Sequence, residues 1–263
     1  MANGILLLNK PTGLSTFDLI RIFKKAIKPD FKVGHAGTLD VFANGLSILL
    51  LGPATKHFSL FQTLPKTYLA TARLGYSSPT LDIEGDLTPQ VDPPSVDREE
   101  LETTFNNFPR QYDQSVPAYS AAKHQGQPLY RHARKGNAVT TKTKSVTIHQ
   151  LELVAYRPPL LTFKASVSSG TYIRQLSCDL FTQLKLDSFL SSLTRTRIGP
   201  YQLKDAINLD TLYNKNWHQH LITKYDPQNQ IHQWQPRASW SRHPLVFWFH
   251  VYPTHSLGNQ WPN

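Results

Sequence analysis

The chain alternates between short apolar runs and helix-like segments, and the sharpest of these transitions lies near its N-terminal end. A solid apolar run, residues 46–51, follows a thirteen-residue stretch, residues 33–45, that carries three glycines, His35 and one carboxylate, Asp40. Glycines at this density let a backbone take positive φ angles or approach a ligand closely. A loop between two stiff elements can present a reactive side chain. A connector with one solvated acid is the simpler interpretation of this stretch taken alone.

The remaining segments predict strands and helices in mixed order. Ser15, with Asp18 three residues later, predicts the capped start of a helix that Pro29 closes. Connections of very different length separate the segments, so we predict an α+β fold in which a mixed, mostly antiparallel sheet is flanked by helices. The predicted strands cover residues 4–9, 46–51, 66–74, 145–156, 161–167 and 190–198, and the further helices cover residues 54–63, 98–105, 128–135 and 171–184.

The charge balance favours a polyanionic partner. Lysine and arginine outnumber the acids by 28 to 18, for a net charge of +10. Each phosphate that such a surface neutralises releases condensed counterions; a general solubility charge is the alternative. No apolar run approaches the ~18–20 residues of a membrane-spanning helix, and no signal peptide is apparent, so we expect a cytoplasmic protein with no membrane association. The single cysteine, Cys178, excludes an internal disulfide and disfavours a cysteine-based metal site.

The composition changes after about residue 210. All five tryptophans and six of the eleven histidines follow that point, with one acid, Asp226, and one glycine, Gly258. The histidine spacing matches no standard metal site, so we expect no metal there. We therefore divide the chain into a domain of residues 1–210 and an atypical segment of residues 211–263.

The glycine-rich stretch carries a family resemblance. Residues 34–40 (GHAGTLD), with Ala43, Asn44 and Gly45 after them, resemble the catalytic motif of the TruB family of tRNA pseudouridine synthases. The resemblance continues in the family's order over roughly residues 3–210. The other similar stretches are residues 4–13 (GILLLNKPTG), 54–56 (ATK), 66–68 (KTY), 73–75 (RLG), 82–85 (DIEG), 117–121 (PAYSA), 123–126 (KHQG), 129–130 (LY) and 169–174 (SGTYIR).

The resemblance implies a pseudouridine synthase fold for residues 1–210 and isomerisation of a uridine to pseudouridine at position 55, in the TΨC loop of tRNA. The base is detached, turned and rejoined to the sugar through carbon, without a metal or an organic cofactor. Asp40 would be the essential catalytic residue, Tyr68 would stack on the flipped base, and Arg174 would keep Asp40 ionised and oriented. A carboxylate can act here as a nucleophile, stabilise an oxocarbenium centre or move a proton, and the sequence leaves these roles open.

Further residues take substrate-binding roles by the same resemblance, and each also has an ordinary structural explanation. A basic surface at the start of the helix near residue 130 is the candidate RNA-binding face; a solvated face is its alternative. The substrate-binding candidates are His35 (base extrusion), Lys56 (phosphate or rim contact), Asp82 (polar support of the site) and Leu193 (apolar wall), and the RNA-binding candidates are Lys123, Tyr130 and Arg131.

The chain departs from the family at two places. Ala36 and Val41 replace the commonest threonine and proline of the loop, and neither change removes a reactive group. Bacterial members carry a PUA-type domain, for which residues 211–263 are short and unlike in composition. A divergent region, a truncated remnant and a frame-shifted reading stay open for that segment.

The expected partner is the TΨC stem-loop of tRNA, bound by a monomer. Two other functions are weighed against the isomerase. One is a non-catalytic tRNA-binding and folding protein on the same scaffold. The other is an aspartate-nucleophile hydrolase for small molecules, which would leave the positive charge unused.

Overall fold

The computed structural model describes residues 2–124, 126–135, 142–214 and 216–226. The strands in these ranges are β1 (Gly4–Lys10), β2 (Val33–His35), β3 (Asn44–Leu51), β4 (Lys66–Leu74), β5 (Tyr76–Ser77), β6 (Thr88–Pro89), β7 (Gln111–Ser115), β8 (Lys123–His124), β9 (Gln127–Pro128), β10 (Thr143–Arg157), β11 (Leu160–Val167), β12 (Ser188–Ile198) and β13 (Tyr201–Gln202). The helices are α1 (Thr16–Ile27), α2 (Phe58–Thr63), α3 (Arg98–Asn107), α4 (Leu129–Arg134), α5 (Ile173–Thr182) and α6 (Leu209–Tyr213), with 3₁₀ helices at Gly52–His57, Leu203–Asp205 and Asn216–His220.

One large sheet organises the domain. Its strands run in the order β1-β3-β12-β4-β11-β10-β7, with β2 beside β3 and β13 beside β12. The β3–β12 pair is parallel, and the other pairings described in this sheet are antiparallel. The predicted α+β class with a mixed, mostly antiparallel sheet is therefore confirmed.

Helix α1 forms as its sequence predicts. Ser15 is the N-cap, and a capping box joins it to Asp18 in both directions. Lys28 ends the helix in a left-handed conformation, with φ 48°, just before Pro29. The residues that face the sheet are Thr16, Leu19, Ile20 and Phe23, which are buried.

Helices α3 and α5 cover the face of the sheet that carries the candidate site. Phe105 of α3 lies against Phe163 of β11 and Phe181 of α5, with ring centroids 6.0 and 6.4 Å apart. The same cluster takes in Leu39 and Phe42 from the loop between β2 and β3. Burying each such side chain contributes roughly 1.5–3 kcal/mol to the free energy of unfolding. Leu39 and Phe42 therefore anchor this loop to the core.

Several element boundaries differ from the predictions. The predicted helix over residues 54–63 is a 3₁₀ turn followed by the short α2, and the predicted start of α5 at Thr171 moves to Ile173 because Tyr172 is the N-cap. Pro128 lies outside α4, as its N-cap. Strands β2 and β7 form where a loop and an irregular segment are predicted.

The described part of the C-terminal segment packs against the N-terminal strand. Ile222 exchanges two backbone hydrogen bonds with Ile5, of 2.9 and 3.0 Å. Trp217 is 1% exposed and meets the ring of Phe23 edge-on, with centroids 5.2 Å apart. The boundary at residue 210 stays a prediction, and the rest of the segment, from residue 227, lies outside the described residues.

Two structural features are absent from the described residues. No helix among them has the length and apolar character to cross a bilayer. They contain no group of three or more histidine, cysteine, aspartate or glutamate side chains arranged to hold a metal ion.

Candidate active site

Asp40 lies in the loop between β2 and β3, on a backbone that the core fixes from both sides. Leu39 and Phe42 are buried in the core, at 5% and 6% exposure. The Thr16 hydroxyl accepts a 2.9 Å hydrogen bond from the Leu39 amide and donates one of 3.3 Å to its carbonyl. The Asp40 side chain remains 37% exposed. The loop is therefore anchored by buried apolar side chains and presents one carboxylate between them.

Arg174 binds that carboxylate in a two-pronged contact. Its Nε donates to Oδ2 of Asp40 at 3.0 Å, and its Nη2 donates to Oδ1 at 3.2 Å. The Arg174 side chain is 5% exposed and also donates to the carbonyls of Thr80 and Tyr119, at 2.6 and 3.0 Å. Paired charge-assisted hydrogen bonds of this kind fix orientation as well as adding energy. The contact implied by the resemblance is present, and its catalytic role stays a prediction.

Asp82 holds Arg174 from the other side. Its Oδ2 lies 3.1 Å from Nη1 of Arg174, and its side chain is 3% exposed. Oδ1 of Asp82 accepts from the Thr80 hydroxyl at 2.6 Å and from the Glu84 amide at 3.0 Å. Burial raises the pKa of Asp82, while the Thr80 hydrogen bond and the Arg174 charge oppose the rise. The positive charge of Arg174 in the first turn of α5 is unfavourable next to the positive end of the helix dipole. The carboxylates of Asp40 and Asp82 offset this unfavourable interaction.

A cavity of about 530 Å³ opens above Asp40. Its floor and walls come from elements that are distant in the chain: the Asp40 loop, strand β4, the segment after β7, the start of α5, and β12. The lining residues are Gly37, Thr38, Leu39, Asp40, Gln62, Lys66, Tyr68, Val116, Ser120, Ala121, Ala122, Lys144, Ser169, Gly170, Thr171, Tyr172, Ile173, Arg174, Leu193 and Arg195.

Tyr68 and Leu193 supply the apolar part of this wall. They are 8% and 4% exposed. Burial raises the pKa of the Tyr68 phenol, and a hydrogen bond with Arg195 works against that rise. The phenol therefore stays neutral near pH 7, as a flat ring beside the carboxylate. Such a ring is suited to stacking against a nucleobase.

The cavity lining is rich in basic side chains. Four of its lining side chains are lysines or arginines, against the single carboxylate of Asp40. Burial, followed by the charges of Arg195 and Lys144, lowers the pKa of Lys66 to about 7. A pocket with this balance attracts anions and focuses the potential within low-dielectric walls. The four basic side chains are Lys66, Lys144, Arg174 and Arg195.

Arg195 is a site residue that the sequence analysis misses. It is 1% exposed and donates to three carbonyls, those of Leu46 at 2.8 Å, Thr38 at 3.1 Å and Gly37 at 3.4 Å. These bonds tie β12 to the loop that carries Asp40. A run of alternating threonine and arginine in β12 suggests a solvated strand face, and only the tertiary structure reveals that this arginine points inward.

Two further features hold the same loop. Lys10 is fully buried and donates to the carbonyls of Pro11, Leu14 and Val41, at 3.0, 2.6 and 3.4 Å. Burial, then Arg195, lowers the pKa of Lys10 to about 8. Gly45 has φ 108°, and a Cβ there would lie 2.5 Å from the Arg195 carbonyl oxygen. Only glycine fits at that position.

Gln114 of β7 anchors the first turn of α5. Its Oε1 accepts from the Tyr172 amide at 2.8 Å, and its Nε2 donates to the Tyr172 carbonyl at 3.1 Å. Nε2 also donates to the hydroxyl of Tyr112 at 2.8 Å, and that hydroxyl donates to Asp179 at 2.9 Å. Tyr172 is the N-cap of α5 and makes no side-chain cap bond. The buried amide of Gln114 therefore fixes the backbone two residues before Arg174.

The other predicted site residues are not in the lining of this cavity. His35 is half-buried in β2, where burial and the Arg195 charge lower its pKa, and Lys56 is exposed in the 3₁₀ turn after β3. Lys123 and Arg131 are exposed. Tyr130 is half-buried, and its amide donates to the carbonyl of Ser120 in the cavity lining, at 3.1 Å. Helix α4 is thereby joined to the rim.

Comparison with solved structures identifies the fold. A chain in "Crystal Structure of a Cbf5-Nop10-Gar1 Complex" matches with a TM-score of 0.64 and 23% identity, over 81% of this chain and 54% of that one. A chain in "Structure of H/ACA RNP bound to a substrate RNA containing 2'-deoxyuridine" matches with a TM-score of 0.61 and 20% identity, over 87% of this chain and 58% of that one. This chain thus spans little more than half of each. The likeness confirms a pseudouridine synthase-like fold.

Sequence comparison identifies the family. A family model described as "TruB family pseudouridylate synthase (N terminal domain)" matches residues 22–173. A "tRNA pseudouridine synthase B" of Caldicellulosiruptor saccharolyticus is 40% identical over 209 residues, which are 79% of this chain and 71% of the relative. One of the same name from Pseudomonas aeruginosa is 35% identical over 254 residues, 95% of this chain and 83% of the relative. This chain therefore belongs to the TruB family of pseudouridylate synthases.

Proposed function

We propose that this chain isomerises uridine to pseudouridine at position 55 in the TΨC loop of tRNA. The observation that carries the proposal is the carboxylate of Asp40, held by two hydrogen bonds from the buried Arg174 beside the Tyr68 ring in one cationic cavity. Relatives that bear the name tRNA pseudouridine synthase B support tRNA as the substrate.

The cavity is suited to a nucleotide that has left its stack. A uridine inside a folded loop has to be extruded before any group can reach its glycosidic bond, at an energy of a few kcal/mol. A volume of about 530 Å³ lies within the ~300–1,000 Å³ usual for ligand pockets. The Tyr68 ring offers a stacking surface worth about 1–3 kcal/mol per base. Lys144 offers positive charge for the phosphates that enter with the nucleotide.

The reaction then needs one carboxylate and no external group. The bond between C1′ of the ribose and N1 of uracil breaks, and a bond forms between C1′ and C5. C5 loses its hydrogen and N1 ends protonated, so the product is an isomer of the substrate. Asp40, paired with Arg174, serves as a nucleophile, as a stabiliser of positive charge at C1′ or as a proton carrier. Asp82 and Arg174 act by orienting it.

A non-catalytic tRNA-binding protein on the same scaffold is the alternative. Binding alone has no use for a carboxylate inside a cationic cavity, since Asp40 reduces the attraction for phosphate there. The ion-pair assembly of Asp40 with the buried Arg174 and Asp82 therefore favours the enzyme. A small-molecule hydrolase is disfavoured because the +10 charge would serve no purpose.

The test is the variant Asp40→Asn, with Asp86→Asn as a matched control. Asp86 is an exposed carboxylate outside the cavity lining. We expect Asp40→Asn to abolish pseudouridine formation in a tRNA transcript while tRNA affinity stays within a few-fold, and Asp86→Asn to retain both. A transcript with cytidine at position 55 should acquire no pseudouridine with the wild type. Unchanged turnover by Asp40→Asn would overturn the mechanism, and product at another uridine would overturn the position.

The remaining site residues are assigned to RNA contact. We propose that His35 aids base extrusion and that Lys56, Lys123, Tyr130 and Arg131 bind the RNA around the rim. If Lys123 contacts a phosphate, Lys123→Ala should weaken binding and reduce the slope of log affinity against log salt by about one unit. Lys204→Ala, at an exposed lysine in the 3₁₀ turn 203–205, is the control. An unchanged slope would make Lys123 part of a solvated face.

We also propose that the active form is a monomer in the cytoplasm. Size-exclusion chromatography with light scattering, at the concentrations used for activity, tests the first point. A dimer as the smallest active species would contradict it.

A further inference from the structure

Helix α1 carries a continuous basic stripe on the side that faces away from the sheet. Its members recur three or four residues apart, so they lie on one face of the helix. The buried positions Thr16, Leu19, Ile20 and Phe23 occupy the opposite face. The α1 stripe consists of Phe17, Arg21, Lys24, Lys25 and Lys28, all of which are exposed.

The stripe begins beside the candidate catalytic loop. Thr16, next to Phe17 in the chain, makes both hydrogen bonds to Leu39, the residue before Asp40. Two large apolar side chains are exposed at this junction, Phe17 at 54% and Val41 at 38%. From there α1 continues for about 15 Å, at ~1.5 Å per residue, to Ile27, and Lys28 follows as its C-cap. The stripe thus starts one residue from the Thr16–Leu39 contact, next to the loop that carries Asp40.

The charges of the stripe are largely uncompensated. Arg21 pairs with Asp18 at 2.9 Å, and its guanidinium lies 4.9 Å from the Phe17 ring centroid. Among the described residues, no ion pair involves Lys24, Lys25 or Lys28. Three adjacent lysines on one exposed face repel one another. A polyanion laid along the helix would relieve that repulsion and release its own counterions.

We propose that the α1 stripe binds the sugar-phosphate backbone of the substrate RNA outside the flipped nucleotide. This inference rests on the proposed function, because it takes the cavity as the point where the RNA enters. A nucleotide in the cavity fixes the position of its flanking strand at the rim, and the stripe is a track of matching charge beside Asp40. Phe17 and Val41 offer apolar contact at the junction, and the lysines offer phosphate contacts beyond it.

The test is the double variant Lys24→Gln/Lys25→Gln. Arg157→Gln/Lys204→Gln is the matched control, since it also removes two exposed charges from described residues outside α1. Affinity for a tRNA transcript is measured over a range of KCl concentrations. With two phosphates contacted, the salt slope should fall by about 1.5–2 units in the α1 variant. KM should rise, and kcat at saturating tRNA should stay at the wild-type value, because neither lysine lines the cavity.

The outcomes separate the two proposals. An unchanged slope in the α1 variant, or an equal fall in the control, would overturn the stripe as an RNA site, whatever the activity. An acidic protein as the true partner would give the same unchanged slope. Absence of pseudouridine with the wild-type protein would instead overturn the proposed function and leave the binding measurement interpretable. Circular-dichroism melting confirms that the variants are folded before either result is read.

Discussion

Arg195→Lys is the change most informative about how the Asp40 loop is held. Arg195 reaches three carbonyls, those of Leu46, Thr38 and Gly37, with three different nitrogens. Lysine keeps the charge but carries one nitrogen on a flexible stem, so it cannot span the same acceptors. Hydrogen bonds to charged groups contribute about 1.5–3 kcal/mol each. The loss of two predicts a decrease of about 3–6 kcal/mol in the free energy of unfolding.

The matched control is Arg197→Lys on the same strand. Arg197 is half-buried and donates from Nε to a single carbonyl, that of Gly199, at 2.7 Å. One such bond predicts a decrease below about 3 kcal/mol. Urea unfolding measures both variants.

Activity should fall further than stability alone explains. The bonds from Arg195 end on the two residues that lie two and three positions before Asp40, so their loss frees the catalytic loop. A displacement of about 1 Å can reduce a rate ~10²-fold. We expect a single-turnover rate at least tenfold below that of Arg197→Lys, measured well below the midpoint of unfolding. Equal unfolding energies and equal rates for the two variants would refute the reasoning.

Three other predictions test the supports of the site. Gln114→Leu should lower kcat more than tenfold with little change in tRNA affinity, because the start of α5 loses its anchor. Gln111→Leu, at an exposed residue of the same strand, is the control, and an equal effect would contradict the role of Gln114 as that anchor. Gly45→Ala should destabilise the protein far more than Gly13→Ala: both glycines have positive φ, but a Cβ at Gly13 has nothing within 4 Å, so equal losses would exclude the close approach as the cause. Lys66 has a pKa of about 7 in the folded protein and 10.5 in the unfolded chain, so between these pH values the folded state binds fewer protons. The free energy of unfolding of the wild type, relative to that of Lys66→Met, should therefore rise by about 1.4 kcal/mol per pH unit above pH 7. If urea unfolding shows a constant difference from pH 6 to 9, the Gln62 and Leu64 carbonyls keep Lys66 protonated.

Local signals in the sequence predict the elements whose cause is local. The capping box of Ser15 and Asp18 lies within four residues, and the alternation of buried and less buried side chains in β4 lies within nine. Both elements can therefore be predicted from the local sequence. Strand β2 cannot, because three residues that include Gly34 carry no periodicity. Strand β7 is a polar edge strand whose pairing with β10 comes from a distant segment.

The candidate site divides in the same way. The resemblance predicts Asp40, Tyr68 and Arg174, and the structure brings their side chains to one cavity. Periodicity and spacing alone do not predict their proximity, since more than 130 residues separate Asp40 from Arg174. The contacts of Arg195 and Gln114 are equally long-range. Both side chains bind backbone groups. Because every residue has a backbone carbonyl, the residue type of the partner does not reveal such a bond in the sequence.

The pairing of Ile222 with Ile5 has a consequence for how the chain folds. The two residues are more than 200 positions apart, so the outer edge of β1 stays open until almost all the described chain has been made. At ~5–20 residues per second, that interval lasts about 10–40 s during synthesis. An open strand edge is a template for pairing with other chains. The first strand of the nascent protein is therefore open to misassembly during this interval, and a chaperone that protects its edge would act before Trp217 and Ile222 emerge.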